Sequence, residues 1–218
     1  ASTKQLSVDR FYAVGVPLSP SSYDTADGFY THQDGGGKFS SVDFTQFAVL
    51  NTSGSLSFAN TDKVTLTGGY LYNTDAFRVP LSTSTINMLQ VRGKYNTTAK
   101  WQDDNLNISN MASYNGPTIT RVSTSTIEYS ALIASSSPIM TGGASENLTF
   151  NNNIVLGNGG GSPILWTKKS DYQGDYNIFY YPVDARTIYI IGTDDLGSNT
   201  NYFTLSSWQA AVPGQDTH

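Results

Sequence analysis

Two segments concentrate rings, amides and carboxylates densely enough to do recognition chemistry. One runs through Trp101-Gln102-Asp103-Asp104-Asn105, the other through Asp171-Tyr172-Gln173-Gly174-Asp175-Tyr176-Asn177. Aromatic side chains give large amphipathic contact at low entropy cost, and neighbouring polar groups supply adaptable hydrogen bonds. The combination suits a glycan, whose C–H faces stack on rings while its hydroxyls bond to Asp, Asn and Gln, and it suits a protein receptor equally. The candidate ligand-binding residues are therefore Trp101, Gln102, Asp103, Asn105, Asp171, Tyr172, Gln173, Asp175 and Tyr176. Phe179, Tyr189 and Phe203 are assigned instead to packing, because a ring in an alternating strand is more often core.

Bond-making chemistry finds less support. Histidine is confined to His32 and His218, there is no cysteine, and no G-x-S-x-G elbow occurs. Acid–base catalysis by histidine would rest on His32 alone, with Asp27 or Asp34 to orient it. The run Asp34-Gly35-Gly36-Gly37-Lys38-Phe39 lacks the hydroxyl residue that a phosphate loop places after its lysine. Asp103-Asp104 and Asp194-Asp195 are adjacent carboxylate pairs, but neighbours on a strand point to opposite faces and do not make a glycosidase dyad. Asp194 to Asn201 offers oxygen ligands without the spacing of a twelve-residue calcium loop, and such residues are what a hairpin turn needs. The expectation is a non-enzymatic chain with no cofactor and no metal.

Composition narrows the partners. The chain of 218 residues carries a formal charge of -5, with 12 Lys and Arg, 17 Asp and Glu, and only 13% charged residues. Nucleic acid is excluded as an expected partner, since phosphate binding needs clustered cations. No apolar run approaches the roughly 20 residues that span a bilayer, so membrane insertion is not expected. With 14 Tyr, 10 Phe and 3 Trp the chain has the rings that disordered sequences lack. Starting at Ala1 without a leader-like stretch, it reads as an excised piece of a larger surface protein, residues 1–218 forming a single β domain.

The positioning elements are strands. Val64 to Leu66, Tyr70 to Tyr72 and Phe77 to Leu81 alternate with period two, which places one face on a core and one in water. Further strands are expected at 11–16, 44–50, 86–92, 117–123, 125–133, 147–155, 176–181, 186–191 and 201–207. Leu56-Ser57-Phe58 is expected to form a hairpin with Val64 to Leu66. Ser82 to Val91 and Ser206 to Val212 are the two stretches that could be short helices. Residues 19–38, 99–114, 135–146 and 157–161 read as long loops. No repeat of fixed period emerges, which argues against a propeller or β-helix. The fold class expected is all-β: an antiparallel β-sandwich or jelly-roll, or a β-barrel, with long loops.

Ring-rich turns on a β scaffold, low charge and the lack of catalytic machinery together point to attachment. The composition resembles that of receptor-binding heads and protruding spikes of viruses and phages. The expected role is recognition of a host-cell glycan or protein receptor, at a virion surface or otherwise extracellularly, by a homo-oligomer. A cellular adhesin or carbohydrate-binding module and a small β-sandwich glycosidase are the alternatives.

Overall fold

The alternation is present, but the strands it builds pair in parallel. A computed structural model describes residues 4–15, 27–30, 39–51, 54–58, 61–72, 77–78, 83–92, 101–114, 119–134, 140–141, 147–157, 163–182, 186 and 188–218. Along one ladder Lys4–Asp9, Phe39–Thr45, Lys63–Tyr72, Thr83–Arg92, Trp101–Ser109, Ile119–Glu128, Leu148–Asn151 and Tyr172–Asp175 follow one another, each parallel to the next. A second ladder stacks Tyr12–Val14, Ala48–Leu50, the ends of Lys63–Tyr72 and Thr83–Arg92, Ala112–Tyr114, Ala131–Ala134, Ile154–Gly157 and Ile178–Tyr180. The chain thus winds as a β-solenoid, and the expected antiparallel sandwich, jelly-roll or barrel is corrected.

Each coil turns from the first ladder to the second at one residue in the left-handed region. These corners are Arg10, Gln46, Gly68, Met88, Asn110, Tyr129, Asn152 and Tyr176, with φ between 50° and 65°. Only glycine adopts this conformation without cost, and asparagine tolerates it. At the next glycine, Gly69, an added Cβ would lie 2.1 Å from the Phe47 ring of the preceding coil.

Register carries the core. Val42, Val64, Ser84, Leu106, Ser125, Leu148 and Tyr172 stack in one inward column, and Phe44, Leu66, Ile86, Ile108, Ile127, Phe150 and Gly174 in the next. All are buried. Burying each large apolar side chain contributes about 1.5–3 kcal/mol. Phe44 is met edge-on by Phe11, Phe47 and Phe58 at 5.6, 5.7 and 5.8 Å between centroids.

Several local expectations change with the topology. Gly54–Ser57 pairs in parallel with Asp27–Tyr30 and Phe77–Arg78 in a third ladder, so no hairpin joins it to Val64. Thr83–Arg92 is a strand throughout, and 101–114 is two ladder strands and not a loop. Residues 205–211 do form a helix, Leu205–Ala211, started by Thr204, whose Oγ1 accepts from the Ser207 amide at 3.2 Å. Among the described residues antiparallel pairing is confined to Ile190–Thr193 with Asn199–Tyr202. Among the described residues no helix is long and apolar enough to cross a membrane.

Candidate functional site

The corner and the strand end before it bring polar groups and rings to one ridge. Asp9, Thr45, Thr67, Asn87, Ser109, Glu128, Asn151 and Asp175 occupy the last outward position of the first ladder. They bond along the solenoid: Thr45 Oγ1 donates to Asp9 (2.7 Å), Asn151 Nδ2 to Glu128 (3.3 Å), and the Asp175 amide to Asn151 Oδ1 (2.9 Å). The Thr45 hydroxyl, and then the Arg10 guanidinium, hold the Asp9 carboxyl below its usual range. One residue later the chain turns, and two of the turning residues are tyrosines. Tyr129 is 61% exposed and Tyr176 57%. They stand two coils apart with Asn152 between them, roughly 10 Å at the usual strand spacing.

Behind the ridge lies a buried polar ladder that fixes the corners of the last coils. The Ser130 amide donates to Asn153 Oδ1 (3.0 Å), and the Asn153 amide donates to Asn177 Oδ1 (3.0 Å). Asn153 Nδ2 reaches the Ile127 carbonyl at 2.8 Å, and Asn177 Nδ2 reaches Asp216 at 2.8 Å. In the early coils the matching positions are apolar, as at Phe47 and Met111. The rings at 129 and 176 are therefore mounted on a rigid, satisfied backbone.

Residues 208–218 close this part of the solenoid. Asp216 accepts from Tyr172 (2.6 Å) and from Trp208 Nε1 (2.9 Å), and its amide donates to the Gly174 carbonyl (2.6 Å). Gln215 Oε1 accepts from the Gly174 amide at 2.8 Å. The outer edge of the last strand is thus paired, as an exposed strand edge needs. His218 stacks on Tyr176 with centroids 4.7 Å apart, and its Nδ1 lies 2.9 Å from Asp175. Burial opposes ionisation of Asp175, but the bonds from His218 and from the Tyr176 amide outweigh it and lower its pKa.

The candidate residues separate accordingly. Tyr176 and Gln173 are exposed, and Asp175 is half-buried in the clasp just described. Tyr172 is a correction: it lies in a strand and not a turn, is buried edge-on to Trp208, and offers no surface for a ligand. Burial, and then the Asp216 carboxylate, push its phenol well above its usual pKa. Asp171 pairs with Lys168 at 3.1 Å. Asn105 is exposed on the first ladder. Trp101, Gln102 and Asp103 begin the same strand, Trp101 opposite Ile119 and Asp103 opposite Val122, and their side chains lie outside the described residues. The two segments share one ladder, but two strands separate them, so they do not form one cluster.

Of the packing assignments, Phe179 stacks on Phe150 at 6.2 Å, and Tyr189 meets Tyr181 edge-on. Phe203 is partly exposed beneath the Arg186 guanidinium, 4.7 Å from its ring centre. Asp194 serves its own turn, its Oδ1 accepting from the Leu196 and Ser198 amides at 3.0 and 2.8 Å. Among the described residues no group of three or more His, Cys, Asp or Glu is placed to hold a metal. His32 lies outside the described residues. Sequence reasoning missed Tyr129, which stands far from the ring-dense segments and joins the ridge only through coil stacking. Nothing matches this chain in comparisons with family models, curated proteins and solved structures.

Proposed function

We propose that the protein is a non-enzymatic attachment domain of a surface-displayed particle protein, such as a virion spike, and that it binds a host glycan through its corner ridge. The observation that carries this reading is the pair Tyr129 and Tyr176, held outward at left-handed corners beside the polar row Glu128, Asn151 and Asp175. A tyrosine in the left-handed region costs about 1–3 kcal/mol, and such strain clusters at functional sites. Neither side chain gives its bulk to the core. Rings two coils apart with amides and carboxylates alongside suit an extended chain of sugars, each stacking on a ring while its hydroxyls bond to the row.

Screening on a glycan array tests the reading. Tyr129→Asn should weaken binding of the best glycan on the order of tenfold or more, as loss of an aromatic hot spot does. Asparagine accepts the corner conformation, so the same variant should be as stable as the parent or more stable by up to about 1 kcal/mol. Tyr176→Ala should also weaken binding. Undiminished glycan binding by both variants would sink the proposal, and hydrolysis of the bound glycan would replace it with a glycosidase.

A further inference from the structure

The two ladders present outward faces of opposite character. On the first, outward positions hold Thr65, Thr67, Thr85, Asn107, Thr126 and Thr149, with their like throughout. On the second, the outward side chains include Tyr12, Tyr70, Tyr114, Ile154, Ile178 and Tyr180. All six are exposed, Tyr12 at 66%, Ile178 at 60% and Tyr180 at 56%. Alternation alone does not require this, since an outward face touching only water would gain by being polar, as the first face is.

We propose that this second face packs against the same face of another copy of the chain. Taking about 200 Å² for a fully exposed large side chain, these six together with Val14, 54% exposed, offer roughly 600–700 Å² of accessible surface. That stands at or above the 300–600 Å² or so that monomers leave as an apolar patch, and it approaches the roughly 800 Å² that each partner contributes to a stable interface. Apart from Arg92, whose side chain lies outside the described residues, none of its outward positions is charged. A charged partner would lose hydration here with no compensation. A second copy brings a stripe equally without compensating charge, with side chains at the same strand-to-strand spacing of about 4.8 Å, so rows of one seat between rows of the other. The first face and the corner ridge stay in water.

Analytical ultracentrifugation at concentrations from about 1 to 100 µM tests the inference. The parent chain should sediment as a dimer or a larger closed assembly of the 23.6 kDa unit. The double variant Ile154→Arg, Ile178→Arg should weaken association at least 100-fold and sediment as the monomer, with unchanged circular dichroism. Should that variant fail to fold, Tyr180→Ser provides the same readout with a smaller shift toward monomer. Thr126→Arg with Thr149→Arg on the first face should leave the assembly intact. A parent chain that stays monomeric at 100 µM, or stripe variants that keep the parent's mass, would overturn the proposal. This readout requires no glycan, so it stands or fails separately from the attachment role.

Discussion

Tyr172 and Asp216 stand 44 residues apart in the chain and are joined by a buried 2.6 Å hydrogen bond. The bond ties the last strand of the first ladder to the segment that follows the helix Leu205–Ala211. Trp208 shares the same carboxylate oxygen at 2.9 Å, and Asn177 takes the other at 2.8 Å. One carboxylate therefore satisfies three buried donors and ends the solenoid.

Asp216→Ala should destabilise the protein strongly. Each buried donor left without a partner costs about 1–3 kcal/mol, so a total loss of about 3–5 kcal/mol is expected, read as a lower midpoint in urea. A loss below about 1 kcal/mol would show that the cap contributes little.

Gly174→Ala should disturb the same place by overpacking. An added Cβ would lie 2.1 Å from the Tyr172 hydroxyl oxygen and 2.3 Å from its Cζ. The ring would have to leave Asp216, at a cost of about 1–3 kcal/mol or more. Thermal denaturation measures it, and near-ultraviolet circular dichroism should report displaced Tyr172 and Trp208 rings.

Asn153→Ala should remove the centre of the buried polar ladder. The Ser130 amide and the Ile127 carbonyl would both lose a side-chain partner. A loss of about 2–4 kcal/mol is expected. Combined with Asn177→Ala, the total should fall short of the two single losses together, because the pair share their bonds. Additive losses would show that the ladder is not a unit.

Acid should loosen the clasp over Tyr176 before it unfolds the solenoid. The Asp175 carboxyl accepts from the Thr217 and His218 amides as well as from the His218 ring, and its folded pKa is below the usual 3.8. A depressed carboxylate confers stability that is present above the usual value and is lost as pH falls through the folded one. Amide exchange at Thr217 and His218, after correction for intrinsic rates, should therefore lose protection below about pH 4. Asp175→Asn should abolish that dependence. Equal protection at pH 5 and pH 3 would contradict it.

The sequence by itself determined that the chain is built of strands whose side chains alternate between two faces. Val64, Leu66 and Ile127 alternate with polar neighbours because a pleat sends successive side chains to opposite faces. Of the two stretches that could be short helices, 206–212 does hold one, Leu205–Ala211, whereas the other is the strand Thr83–Arg92. Pairing direction was not legible. Parallel sheets are usually covered on both faces and read as apolar runs, whereas this one keeps one outward face polar and so imitates an antiparallel meander.

The repeat was hidden because it lies in register and not in period. From Gln46 to Tyr176 successive corners fall 19 to 24 residues apart, as from Asn110 to Tyr129 and from Asn152 to Tyr176. Few corners carry the glycine or asparagine that would mark them. Only stacking decided which candidates became surface and which became core. Tyr172 and Tyr176 read alike in sequence, yet one faces the interior with Asp216 and the other turns outward at a corner. An even difference of four along a regular strand would have put both on one face; the left-handed residue at 176 breaks that rule, and the bonds of the flanking Asp175 and Asn177 to the preceding coil, which no local pattern encodes, hold the corner in place.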